Sequence, residues 1–135
     1  MIKQTKKVVE TMLNVNDKLI KEYQVNSNMT ALAIGSGDLE VLATPSLACF
    51  MENCAKELAS RILDNESTTV GTQINMKHLA PSKVGSIIKV EAVVSKIEGR
   101  MLSFEIKAYD QDLLVASMSH QRCVVNIERF MSKLK

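Results

Sequence analysis

Four places in the chain carry side chains whose type and setting could do chemistry. His78 closes an alternating run, 69–79, in which Val70, Ile74 and Met76 share its parity, so the imidazole is expected to point with the apolar side chains. An imidazole there needs a hydrogen-bond partner and is either a satisfied core histidine or an acid–base group poised near neutral pH. Glu52 borders a helical apolar stripe beside Ala48, Ala55 and Ala59, whose small side chains leave room for something to approach. Such a carboxylate is a solvated flank residue or a base. Thr44 precedes Pro45 and is expected to be a helix N-cap. Its hydroxyl would bond the first free N–H groups, which also form a positive dipole end able to hold an oxyanion. His120 and Arg122 share one face of a late strand with Met118 and Val124, and a strand-borne arginine among apolar residues seeks an anion from protein or ligand. Gly71 allows close backbone approach early in the strand that leads to His78.

Other chemistries lack their residues. No G-x-x-x-x-G-K-[ST], G-x-G-x-x-G, G-x-S-x-G or H-E-x-x-H occurs, and Gly35-Ser36-Gly37 is too short to cradle a phosphate. Two histidines 42 positions apart give no metal site, so no metal is expected. Cys49, Cys54 and Cys123 form no C-x-x-C pair and are read as buried reduced thiols. The net charge of +2 is too small to imply a nucleic-acid or membrane partner, and no basic stripe interleaves with aromatics. No apolar run approaches the roughly 20 residues needed to span a bilayer. The N-terminal MIKQTKKVVE has no apolar stretch of a signal peptide, so a cytoplasmic protein is expected.

At 135 residues the chain fits one domain. Residues 1–13 read as a short amphipathic helix or docked tail, and 14–135 as a single domain. A strand is expected over 18–25, and a loop with one helical turn over 26–38. The clearest element is a helix from Thr44 to about Asp64, with Leu47, Met51, Cys54, Ala55, Leu58 and Ile62 on one stripe. Asn53, Lys56, Glu57, Ser60 and Arg61 fall on its opposite side. Strands follow over 69–79, 87–97, 101–109 and 113–126, with Glu98-Gly99-Arg100 and Asp110-Gln111-Asp112 as tight turns. Residues 127–134 close as a helical turn. Consecutive hairpins imply an antiparallel sheet, and one long helix must cover one face of it. The class is α+β.

Taken together, LEVLATPSLACFMENCA (39–55), VGTQINMKHLAPSKVGS (70–86), RMLSFEIKAYD (100–110) and SHQRCVV (119–125) closely resemble the fluoroacetyl-CoA-specific thioesterase family over roughly residues 14–132. The resemblance implies a hotdog fold, an antiparallel sheet wrapped around one long central helix, and a homodimer. It implies that Thr44, Glu52 and His78 are catalytic, that Gly71 and Arg122 contact substrate, and that the substrate is an acyl-CoA cleaved to free acid and CoA without a cofactor. The family's fluoroacetyl-specific enzyme carries phenylalanines just upstream of the helix, whereas residues 26–43 here contain no aromatic, which points to another small or medium acyl group. Thr44 and Glu52 are eight residues, about 12 Å, apart on one helix, so either they bracket the substrate with water between or the partner subunit supplies one of them, and active sites at the subunit interface are expected. Lys77 and Lys83 could meet the CoA phosphates or simply be solvated. Two other readings use the same pocket: a non-catalytic acyl-CoA-binding hotdog module, and an acyl-thioester hydratase or dehydratase.

Overall fold

The structure is a computed structural model that describes residues 12–134. Residues 1–11 of the helix or tail expected over 1–13 lie outside the described residues, while Met12 is exposed and Leu13 is buried in the core. Strand β1 (Lys18–Gln24) is followed by a 3-10 turn at Ser27–Met29 and a one-turn helix α1 (Ala31–Ile34). The long helix α2 (Thr44–Ala59) comes next and runs into a 3-10 turn at Ser60–Ile62. Strands β2 (Ser67–His78), β3 (Ile87–Glu98), β4 (Met101–Asp110) and β5 (Leu113–Asn126) complete the sheet, and α3 (Ile127–Ser132) closes the chain.

The five strands form one antiparallel sheet in the order β1-β3-β4-β5-β2. β1 and β2 are therefore the edges. The order follows from the turns. Gly99 adopts φ +61° in the two-residue β3–β4 connection, a left-handed conformation that glycine reaches without a Cβ penalty. β2, joined to β3 by residues 79–86, does not pair with it and lies beside β5.

Alternation does the rest. Leu102, Phe104, Ile106 and Ala108 of β4 are all buried, as are Val90, Ala92 and Val94 of β3, so both strands turn one face to α2. The helix answers with Leu47, Met51, Cys54, Ala55 and Leu58, each fully buried. Burying a leucine or methionine side chain of this kind is worth about 1.5–3 kcal/mol. The apolar stripe is thus the helix's main hold on the sheet.

Four local expectations are corrected. Thr44 is not the N-cap: Ala43 holds that position, Thr44 is the first helical residue, and no side chain caps the end. The helical stretch stops at Ile62 rather than Asp64, because Ser60 bonds back to the Glu57 carbonyl at 2.6 Å and Leu63 turns extended. Asn53 does not face solvent; its Oδ1 accepts hydrogen bonds from Tyr23 and Lys21 on β1. All three cysteines are free, yet only Cys54 is buried; Cys123 is half-buried and Cys49 exposed.

Candidate active site

Released from capping, the Thr44 hydroxyl has another partner. Its Oγ1 lies 2.7 Å from Nδ1 of His78, the last residue of β2. The two elements meet there because β2 runs back along α2 and ends beside the helix start. Nε2 of the same imidazole is buried and has no hydrogen-bond partner among the described residues. Burial pushes the His78 pKa below its ordinary value, with the Ala80 backbone pulling weakly the other way. At neutral pH the ring is therefore uncharged, with one nitrogen on a hydroxyl and the other unsatisfied. At the helix end, Leu47 N–H is bonded to the Ala43 carbonyl and Pro45 has no N–H. The Thr44 and Ser46 amides are left as first-turn donors, beside the positive end of the dipole.

A second polar cluster sits two turns along α2. Glu52 Oε2 stands 3.7 Å from Arg122 Nη1 and 3.8 Å from His120 Nε2. Gly71 lies beneath it: a Cβ there would come 2.7 Å from the carboxylate oxygen, 3.3 Å from the His120 ring and 3.4 Å from Arg122 Nη1. The missing side chain of Gly71 is thus the space that Glu52 occupies. Arg122 is buried and held on three sides, donating from Nε to Thr69 Oγ1 at 2.8 Å, from Nη2 to the Thr69 carbonyl at 3.1 Å, and from Nη1 to His120 Nε2 at 3.1 Å. Burial lowers its pKa and Glu52 raises it, but a guanidinium stays charged throughout.

A bulge in β2 builds this cluster. The register against β5 runs Gly71 to Arg122, then Gln73 to Gln121, so Thr72 is an extra residue. It reverses the alternation. Thr69 and Gly71 face α2 on one side of the bulge, and Ile74, Met76 and His78 face it on the other. The expectation that Val70 shares a face with Ile74, Met76 and His78 is therefore wrong: Val70 pairs with Cys123 on the outer face. Thr69 is a hydrogen-bond partner of Arg122 that sequence parity hides, since only the bulge turns it inward. His120 was legible beside Arg122 on one face of β5, although nothing in the spacing showed that one supports the other.

The structure brings together Thr44 with His78, and Glu52 with Gly71 and Arg122, but it does not join the two groups in one chain. They are about 12 Å apart along the helix and about 20 Å apart along β2. A cleft of about 490 Å³ is lined by Val41, Pro81, Ser82, Lys83, Asp110 and Leu113 and contains none of these five side chains. Lys83 lies on that cleft, and Lys77, paired with Ser117, projects from the outer face of β2. No group of three or more His, Cys, Asp or Glu side chains among the described residues could hold a metal ion.

Comparison with known proteins identifies the family and the fold. The sequence model of the fluoroacetyl-CoA-specific thioesterase family matches residues 25–128. The fluoroacetyl-CoA thioesterase of Streptantibioticus cattleyicolor is 32% identical over 97 residues, covering 71% of this chain and 69% of that protein. A solved mutant of the fluoroacetyl-CoA-specific thioesterase in complex with fluoroacetate and CoA superposes with a TM-score of 0.83 at 25% identity, covering 87% of this chain and 99% of that one. A hot-dog-like protein from Thermanaerovibrio acidaminovorans shares the fold, with a TM-score of 0.83 at 22% identity over 93% of this chain and 92% of that one. The chain belongs to the fluoroacetyl-CoA-specific thioesterase family and is an acyl-CoA thioesterase of the hotdog fold.

Proposed function

We propose that the protein hydrolyses a small or medium acyl-CoA at a site assembled from two copies of the chain. The observation that carries the chemistry is the 2.7 Å contact between Thr44 Oγ1 and His78 Nδ1 beside a buried, unpartnered Nε2. His78 takes the proton of the attacking oxygen and later returns it to the departing CoA thiolate. That oxygen is a water bound to Thr44, which gives acid and CoA directly, or Thr44 Oγ1 itself, in which case CoA leaves first and a water activated by His78 then hydrolyses the acyl–threonine ester to free acid and Thr44. The Thr44 and Ser46 amides at the helix start hold the oxyanion that forms on the thioester carbonyl. Glu52 supplies the carboxylate. No step calls for a redox or metal cofactor, since water is the second substrate.

The edge of the sheet suggests how the two groups meet. β2 has one free edge, and Gly71 to Asn75 are exposed. In an antiparallel pair, opposed residues share a face. A two-fold pairing of two β2 edges centred on Asn75 meets that condition: Met76 opposes Ile74, Lys77 opposes Gln73 and, across the Thr72 bulge, His78 opposes the partner's Gly71. Each Thr44–His78 pair would then lie beside the partner's Glu52. Ile74, 47% exposed on the α2-facing side, would be covered by the same pairing. Symmetric dimers of this kind are the commonest oligomers.

Between Met29 and Ala43 the chain folds as a short hairpin-like segment that leads into α2, with Leu32, Ile34 and Leu39 exposed on it and no aromatic. Aliphatic side chains there suit an acyl chain longer than a fluorinated two-carbon unit. The free thiols fit a reducing cytoplasm, in keeping with the absence, among the described residues, of any helix long and apolar enough to cross a membrane.

The test is CoA release from a panel running from acetyl-CoA to dodecanoyl-CoA, with fluoroacetyl-CoA included, comparing wild type with His78→Ala. Release on one or more members, abolished in the variant, is expected. No release on any member, with acyl-CoA still raising the melting temperature, would leave a binding module instead. Formation of a hydrated product from an enoyl thioester would favour the hydratase.

A further inference from the structure

We infer that His120 is a positioning residue: fixed as its neutral Nδ1–H tautomer, it serves as a hydrogen-bond acceptor that aims the Arg122 guanidinium at Glu52. The inference rests on the reading that this cluster serves the thioesterase reaction.

The tautomer is settled by the partners. Nδ1 lies 2.9 Å from the Gln73 carbonyl, which can only accept, so Nδ1 carries the hydrogen. Nε2 is then a lone pair. Facing it at 3.1 Å is Arg122 Nη1, which can only donate. The 3.8 Å separation between Nε2 and Glu52 Oε2 is beyond hydrogen-bond length and joins two acceptors, so it is not an ion pair while the ring is neutral. Arg122 Nη1 carries two hydrogens. With one donated to His120, the other is left for Glu52 at 3.7 Å or for a substrate oxygen between the two.

The surroundings keep the ring in this form. His120 is 1% exposed, and the groups facing it are Arg122 on its own strand, Glu52 from α2, the Gln73 carbonyl from β2 and the Phe104 ring from β4, with centroids 6.1 Å apart. Burial lowers the imidazole pKa most. The Gln73 carbonyl opposes it, Arg122 adds to it and Glu52 opposes it. Protonation would place two donors, Nε2–H and Nη1–H, against each other and leave Nε2–H seeking the Glu52 carboxylate. Arg122 would lose its support, and Glu52 would be tied to the wrong cation.

Two measurements decide the matter. The first needs no activity: nitrogen-15 NMR of the full chain should show the His120 ring as neutral with its hydrogen on Nδ1 at pH 6.5. A hydrogen on Nε2, or a charged ring at that pH, would overturn the inference. The second compares His120→Gln, whose carboxamide oxygen can accept at the Nε2 position but cannot titrate, with His120→Leu, which cannot accept. His120→Gln should keep kcat/KM within about threefold of wild type on the best acyl-CoA, whereas His120→Leu should lose about tenfold or more. Equal loss in both, or none in the leucine variant, would overturn it. Should His120→Leu fail to fold, the glutamine variant and the spectrum still decide. Should wild type release no CoA from any acyl-CoA, the thioesterase reading of the cluster falls while the spectrum still judges the tautomer.

Discussion

On its β1 flank, α2 is closed by direct contacts. Asn53 Oδ1 accepts from the Tyr23 hydroxyl at 2.6 Å and from Lys21 Nζ at 3.1 Å, and Phe50 stacks on Tyr23 with ring centroids 4.8 Å apart. On its β2 flank, one residue earlier in sequence, Glu52 stands 3.7 and 3.8 Å from its cationic and imidazole neighbours, and His78 keeps a buried nitrogen without a partner. Both flanks are polar and half-buried. They differ in satisfaction: the first has spent its donors and acceptors within the fold, while the second leaves them at distances a substrate or second subunit can fill. Adjacent residues on one helix can thus serve stability and chemistry separately.

The two flanks should differ most in activity. Replacing His78 by Ala or Glu52 by Gln should cut kcat/KM about 10²–10⁴-fold, since each removes a proton-handling group from the reaction. Thermal melting should show both variants folded as wild type does. Activity unchanged in either would show that the open flank is not the reacting one.

Gly71→Ala comes next. Its new Cβ meets the far end of the flexible Glu52 side chain at 2.7 Å, so the carboxylate yields and the backbone need not. Turnover should fall about tenfold to a hundredfold while the melting temperature stays close to wild type, because misplacing a reacting group by about 1 Å is enough. A loss of stability without loss of turnover would make Gly71 a packing residue.

The flanks should also separate with pH. His78 and His120 both have native pKa values lowered by burial, whereas an unfolded histidine titrates near 6.5. As pH falls below about 6.5 the unfolded chain takes up protons first, so stability is fully present above that pH and declines below it until the native values are reached. The acid limb of the kcat/KM profile should likewise lie below pH 6.5, since neutral imidazoles are the active forms. A limb above pH 7 would contradict the burial seen here.

The smallest effect belongs to the closed flank. Asn53→Ala leaves the Tyr23 hydroxyl and the Lys21 ammonium without their acceptor and should cost about 1 kcal/mol of stability. It should leave kcat unchanged, as read by chemical denaturation and steady-state kinetics.

Much of this was legible in the residues. The stripe from Leu47 to Leu58 and the alternation from Leu102 to Ala108 gave α2, β4 and the α+β class, because burial on one face leaves a periodic record. Thr44, Glu52 and His78 stood out by type and spacing. What stayed hidden depended on contacts distant in sequence. Thr44 reads as a cap, and only the return of β2 gives its hydroxyl an imidazole. Asn53 reads as solvated because its partner lies thirty residues away, on β1. Thr69 and Val70 exchange faces through a single extra residue, which no parity rule foresees.

The central claim, a site shared between subunits, can be tested by complementation. Co-expressing His78→Ala and Glu52→Gln chains with different tags and isolating the mixed dimer gives one site that carries both changes and one that carries neither, if each site joins His78 of one copy to Glu52 of the other. That dimer should recover about half the wild-type activity, although each parent is inactive. Recovery no greater than the parents would mean that each chain completes its own site, contradicting the account.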